Sequence, residues 1–202
     1  GAYGHDDRVC AYPALMAITE IDAPDKTAVC ILADKEETGS DGNTGLNSDF
    51  LRFVIRDLAE IQGVDYTVAL RNSKCLSADV NAAYDPTFSD VFERKNACFI
   101  NSGACITKYT GARGKGGTSD ASAEFMSTIR RILDNANVSW QIGELGKVDE
   151  GGGGTVAQYV ANRNIETVDC GVPMFSMHAP FEVVAKLDVY MSYKLYKAFY
   201  LD

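Results

Sequence analysis

Three carboxylates arrive together in Asp34-Lys35-Glu36-Glu37-Thr38-Gly39-Ser40, directly after the apolar run Thr27 to Ala33. Adjacent carboxylates repel one another unless a cation or hydrogen bonds compensate. In open α/β sheets, ligands gather beyond the carboxyl ends of strands. An acidic surface turn would give the same string. A second pair, Asp6-Asp7, precedes a helical pattern, where carboxylates also serve as caps and favour the helix dipole. Asp79 ends another strand-like run, a place also typical of turn residues. His178 stands at the end of a last β-like run, in Ser176-Met177-His178-Ala179-Pro180, where a lone His is more often a hydrogen-bonded core residue than a ligand. His5 and His178 are the only two histidines, so a metal site here must draw mostly on carboxylates. Oxygen-rich sites with one or two imidazoles suit zinc, cobalt or manganese in co-catalytic pairs.

Two glycine-rich segments invite a phosphate-binding reading, and both fail it. In Gly111-Ala112-Arg113-Gly114-Lys115-Gly116-Gly117-Thr118-Ser119 the lysine is followed by Gly116, not by the Ser or Thr that a phosphate loop requires. Gly151-Gly152-Gly153-Gly154-Thr155 lacks both fingerprint spacing and an acidic residue placed for a ribose. Nineteen Lys and Arg against 28 Asp and Glu give a net charge of −9, which disfavours a broad nucleic-acid-binding face. No apolar run approaches the roughly 20 residues needed to cross a bilayer. The six cysteines (Cys10, Cys30, Cys75, Cys98, Cys105, Cys170) are scattered, form no C-x-x-C pair, and read as small buried thiols of a reducing, cytoplasmic compartment.

The elements that must carry these residues alternate. Thr27 to Ala33 has the pattern of a strand covered on both faces. Leu46 to Gln62 reads as a helix with Phe50, Val54, Leu58 and Ile61 on its apolar face. Lys74 to Val80, Gly103 to Tyr109, Val138 to Ile142, Thr167 to Cys170 and Met174 to His178 read as strands. Ser119 to Asn135 reads as a helix capped by Thr118 or Ser119, with Phe125, Ile129, Ile132 and Leu133 as its stripe. A short helix follows the glycine loop from Thr155 to Ala161, and Leu187, Tyr190, Met191, Leu195 and Phe199 mark a C-terminal one. Pro13 predicts that the first helix starts near Tyr12 or kinks there. Alternation of this kind predicts an α/β fold with a largely parallel sheet.

Taken in order, Gly4-His5-Asp6-Asp7-Arg8-Val9, Asp34 to Ser40, Asp79-Val80-Asn81 and Ser176-Met177-His178 resemble the aspartyl aminopeptidase and vacuolar aminopeptidase I family of zinc metallopeptidases. The resemblance covers essentially the whole chain, and Lys108 to Asp120 and Gly146 to Thr155 look like the bacterial members. It implies a three-layer α/β/α sandwich with a mixed, largely parallel sheet, as in zinc-dependent exopeptidases. It also implies two divalent metal ions, zinc or else cobalt or manganese, and peptide substrates. Asp6 would bridge the ions, Glu37 and His178 would hold one, and Asp79 the other. Glu36 would be the general base acting on the shared water, and Asp7 would stand behind the ligands, orienting the surroundings of Asp6. Lys108 matches a lysine of the substrate pocket, and Gly153, Gly154 and Thr155 would line the cleft. Ala82 stands where members selective for acidic N-terminal residues carry a His, which favours a broad or neutral preference.

One departure shapes the expectation. By the resemblance, the family's other metal-binding His, with the Asp that orients it, is expected in an H-x-D segment upstream of Gly4, outside these 202 residues. An inserted domain used in assembly is likewise outside them. The chain is therefore expected to be the C-terminal part of a catalytic domain, inactive in isolation and prone to associate through an uncovered sheet edge. By the resemblance, the full-length form would be a homo-oligomer, commonly a dodecamer. A non-catalytic remnant that keeps the fold for assembly or binding is the alternative, and the retained Glu36 argues against it.

Overall fold

The computed structural model describes every residue except 112, 114, 115, 118 and 148. After an N-terminal helix, α1 (His5–Thr19), come α2 (Phe50–Ile61) and α3 (Tyr66–Asn72), then strands β1 (Lys74–Ala78), β2 (Asn81–Ala82) and β3 (Ala104–Thr107). The second half comprises α4 (Ala123–Asn135), β4 (Trp140–Ile142), α5 (Ala157–Ala161), β5 (Glu166–Gly171), β6 (Pro173–Phe175), β7 (Val183–Val184) and α6 (Lys186–Tyr200).

Four strands pair in the order β1-β5-β3-β4, and three in the order β2-β6-β7. The two ladders run end to end, because Asp79 N–H donates to the Cys170 carbonyl (3.2 Å) and Asn81 N–H to the Val172 carbonyl (3.0 Å). β1/β5, β3/β4 and β2/β6 are parallel, whereas β3/β5 and β6/β7 are antiparallel. Helices cover both faces. Alternation along β5 sorts them: Val168 and Cys170 join a core with Ala17 of α1, the α4 stripe and Leu195 of α6. On the opposite face, Leu46, Leu51, Val160 and Ile165 cluster with Cys75 of β1. The α/β/α sandwich with a mixed sheet is thus the architecture of the chain.

Phe125, Ile129, Ile132 and Leu133 are all buried, as their spacing predicts, and each such burial contributes roughly 1.5–3 kcal/mol. The helix starts later than expected. The cap is Ser122, accepting from Phe125 N–H (3.1 Å), and not Ser119, while Thr118 lies outside the described residues.

Several expectations fail for identifiable reasons. Thr27 to Ala33 belongs to no strand, because no ladder partner lies beside it among the described residues. Ile31 and Leu32 are 41% and 60% exposed. The Leu46–Gln62 helix is shorter, and its buried face is Leu51, Ile55 and Ala59 instead of Phe50 and Ile61, which point to solvent. Both faces carry apolar residues at helical spacing, so periodicity alone selects the wrong one. α6 is the expected C-terminal helix, with Leu195 buried and Met191 and Phe199 packed against the same core; Leu187 and Tyr190 are exposed, while Asp188, Ser192 and Tyr196 are buried. The polar members of that face are invisible to a search for apolar stripes. Asp188 accepts from Asn101 N–H (2.6 Å) and Gly103 N–H (2.7 Å), which is how a carboxylate tolerates complete burial. Pro13 lies inside α1; the non-helical residues are Asp6 and Asp7.

Candidate metal centre

Each candidate residue sits where regular structure stops. Asp6 and Asp7 occupy non-helical backbone ahead of the regular turns of α1, joined by a cis peptide bond. Glu36 and Glu37 form a single 3-10 turn, entered through Lys35 and left through Gly39, both left-handed. Asp79 interrupts the run expected as one strand, separating β1 from β2. Its carbonyl lies so close to Gly171 that a Cβ there would come within 1.9 Å of the Asp79 oxygen. Only glycine lets β5 pass at that point. His178 is not in a strand, since β6 ends at Phe175; it has φ +67° in the turn before β7.

These positions converge. His178 Nε2 lies 3.1 Å from Asp6 Oδ2 and 3.3 Å from Glu37 Oε1. One ligand atom from each of Asp6, Glu37 and His178 falls within 4.8 Å of the others, and the same holds for Asp6, Asp7 and Asp79. Asp6 belongs to both groups. Glu36 belongs to neither. Asp7, expected behind the ligands, has its Oδ1 buried with no hydrogen-bond partner, an orphan acceptor inside an acidic cluster.

The electrostatics agree with the geometry. Burial, then the charges of Glu37 and Glu182, raise the Asp6 carboxyl to about 6, with His178 pulling the other way. Burial and the neighbouring Asp6 push Asp7 to about 8, although hydrogen bonds from Cys10 partly offset them. Asp79 rises well above the carboxylate range through burial and the charges of Asp7 and Asp6. Glu36 is raised by burial, then by Glu37 and Asp6. Four carboxyls crowd here, and His178 and the hydrogen bonds from Cys10 oppose their crowding only in part. A cation placed between them supplies the missing charge. The donor set of carboxylates with one imidazole fits zinc, cobalt or manganese.

Sequence reasoning missed Glu182. It is 2% exposed, its Oε2 accepts from Asp6 N–H (3.1 Å) and its Oε1 from His178 N–H (2.8 Å). A glutamate four residues beyond the candidate histidine is the sequence signal, but the distant Asp6 contact has none.

The expected substrate-side residues, Lys108, Gly153, Gly154 and Thr155, are each held by contacts of their own. Thr155 donates its hydroxyl proton to buried Asp169 (2.6 Å) and accepts from Ala157 N–H (3.2 Å), opening α5. Gly111 N–H donates to the Gly153 carbonyl (3.0 Å), pinning the glycine loop. Gly152, at φ +96°, has no room for a Cβ, which would lie 2.0 Å from the Gly111 carbonyl oxygen. A Cβ on Gly154 would sit 3.1 Å from the Gly117 carbonyl. Lys108 is ion-paired with Asp120. Nearby Glu144 is raised to about 7 by burial and the Asp120 charge, with Lys108 opposing. Of the glycine segment Gly111 to Ser119, Ala112, Gly114, Lys115 and Thr118 lie outside the described residues.

Comparison with known proteins follows the same lines. Residues 1–200 match the family described as aminopeptidase I zinc metalloprotease (M18). A probable M18 family aminopeptidase 1 from Borrelia garinii is 48% identical over 209 residues, covering 100% of the chain and 46% of that relative. The crystal structure of aminopeptidase I from Clostridium acetobutylicum superposes with a TM-score of 0.93 at 44% identity, over 100% of this chain and 44% of that one. An M18 aminopeptidase structure from Thermotoga maritima gives 0.94 at 42% identity, over 98% and 45%. The chain therefore spans a little under half the length of the proteins it matches.

Proposed function

Because the chain belongs to the aminopeptidase I zinc metalloprotease (M18) family, we propose that it carries most of the metal site of a metal-dependent aminopeptidase that removes N-terminal residues from peptides. The observation that carries this reading is the shared position of Asp6 in two clusters of candidate ligand atoms. Asp6, Glu37 and His178 would hold one divalent ion and Asp6 with Asp79 a second, with Asp7 behind them orienting the surroundings of Asp6. Zinc is the favoured metal, with cobalt or manganese able to replace it. Such ions polarise the scissile carbonyl and lower the pKa of water.

Glu36 is the proton acceptor in this reading. It adjoins Glu37 in sequence yet contributes to neither ligand group, so its carboxylate stays free. Partial burial and acidic neighbours raise its pKa, which brings a carboxylate base closer to neutral working pH. Substrate preference is broad or neutral: Lys108 is already paired with Asp120 and faces a second carboxyl, Glu144, leaving little net positive charge for an acidic side chain.

The free state of all six cysteines supports a reducing, cytoplasmic setting, and no helix among the described residues is long and apolar enough to cross a membrane. Exposed Ile31, Leu32, Phe50 and Ile61 support self-association, or cover by residues beyond these 202. The 202 residues alone are expected to show no peptidase turnover, since the resemblance puts one ligand upstream.

The test is Glu36→Gln in the longest protein carrying this chain, assayed on Leu- and Asp-anilides. Loss of a positioned base costs about 10²–10⁴-fold in rate, with metal content unchanged and the Leu substrate turned over at least as fast as the Asp one. Full activity in the variant would contradict the assignment of Glu36.

A further inference from the structure

We propose that Glu182 is a positioning residue: its buried carboxylate fixes the backbones of Asp6 and His178 relative to each other, so that both side chains meet a divalent cation already placed. The inference rests on the reading that Asp6 and His178 are ligands.

Three observations carry it. The carboxylate is 2% exposed, and each oxygen takes a different backbone N–H, Asp6 at 3.1 Å and His178 at 2.8 Å. Those two donors stand 172 positions apart in sequence, so nothing local holds them together. Bonds to a charged acceptor are shorter and about twice as strong as neutral ones. Second, the Glu182 backbone is itself tied to the N-terminal segment, Ala2 N–H to its carbonyl (3.0 Å) and its N–H to the Ala2 carbonyl (2.9 Å). The chain before Asp6 and the turn bearing His178 are thus clamped through one residue. Third, His178 has φ +67°, a conformation that non-glycine residues keep only when their surroundings enforce it. The bond from its N–H to Glu182 does so, and the imidazole then points at Asp6.

The amide of Glu182→Gln keeps the shape but turns an N–H₂ toward one of two backbone donors, so one clamp bond is lost. Glu182→Asp keeps the charge with a shorter reach. Partners that orient ligands typically alter metal affinity 10–100-fold. The experiment is titration with cobalt(II) alone, following its visible absorption, on the protein carrying this chain, on both variants, on Glu37→Gln, and on Leu133→Ala as a destabilised control remote from the site. Weakening of cobalt binding by 10–100-fold in Glu182→Gln, with an altered absorption band, a smaller loss in Glu182→Asp and none in Leu133→Ala, supports the proposal. Should Glu182→Gln not fold, Glu182→Asp decides alone: a loss of threefold or more supports the role, and a smaller one overturns it. Unchanged affinity and spectrum in folded Glu182→Gln, with Glu37→Gln weakened, overturns the role of Glu182 only. Unchanged binding in Glu37→Gln, or no binding by the parent, overturns the metal reading and this inference with it.

Discussion

Asp169 offers a quantitative test of how the sheet tolerates buried charge. It lies on β5, 5% exposed, with the Thr155 hydroxyl donating to Oδ1 at 2.6 Å. Burial raises its carboxyl from the ordinary 3.8 to about 6, against hydrogen bonds from Ser77 and Thr155 that pull it down. A proton bound more tightly in the folded than in the unfolded chain makes stability fall as pH rises between those two values. The displacement corresponds to about 3 kcal/mol. Asp169→Asn retains an oxygen for Thr155 and removes the titration. Urea unfolding from pH 4 to pH 8, in chelator, should therefore show the variant gaining on the parent between about pH 4 and pH 6. The difference should reach about 3 kcal/mol above that window and stay level to pH 8. Raised carboxyls that do not interact with Asp169 act in both proteins and cancel from the difference, whereas Asp79 and Glu36, which do, add a smaller change of their own. Parallel stability curves across the window would refute the argument that Asp169 is held protonated by burial.

Two further substitutions probe the core and the helix that closes it. Leu133→Ala, at a site with no exposure in the α4 stripe, should cost about 2–5 kcal/mol in denaturant unfolding; a loss below 1 kcal/mol would mean this helix is not packed as described. Ser122→Ala removes the cap that accepts from Phe125 N–H at 3.1 Å and should cost about 1 kcal/mol. Far-UV thermal melts of the variant against the parent check it, and an unchanged melt would contradict the cap.

What the sequence discloses follows the reach of each interaction. The α4 stripe is legible because a helix face is a local pattern and only one face of α4 is apolar. α2 is not, because Phe50, Phe53 and Ile61 give it a second apolar face that is exposed in the folded chain. Thr27 to Ala33 has a strand's composition, yet a strand exists only where a neighbouring strand supplies a hydrogen-bond ladder, and among the described residues none does; Tyr200 Oη donates to the Val29 carbonyl instead. Conversely, β2 and β7 are two residues each, too short to show any period. At the site, Asp6, Glu37, Asp79 and His178 were legible through the ordered motifs of a family resemblance. The joint position of Asp7 with Asp6 and Asp79, and the clamp at Glu182, depend on contacts between distant segments that no spacing rule encodes.

The most direct test of the account is anomalous diffraction at the zinc absorption edge from crystals of the zinc-loaded protein carrying this chain. The account predicts one peak in contact with Asp6, Glu37 and His178 and a second in contact with Asp6 and Asp79, at the roughly 2.0–2.2 Å typical of oxygen and nitrogen ligands. Zinc bound elsewhere, or no peak between these side chains at full loading, would contradict it.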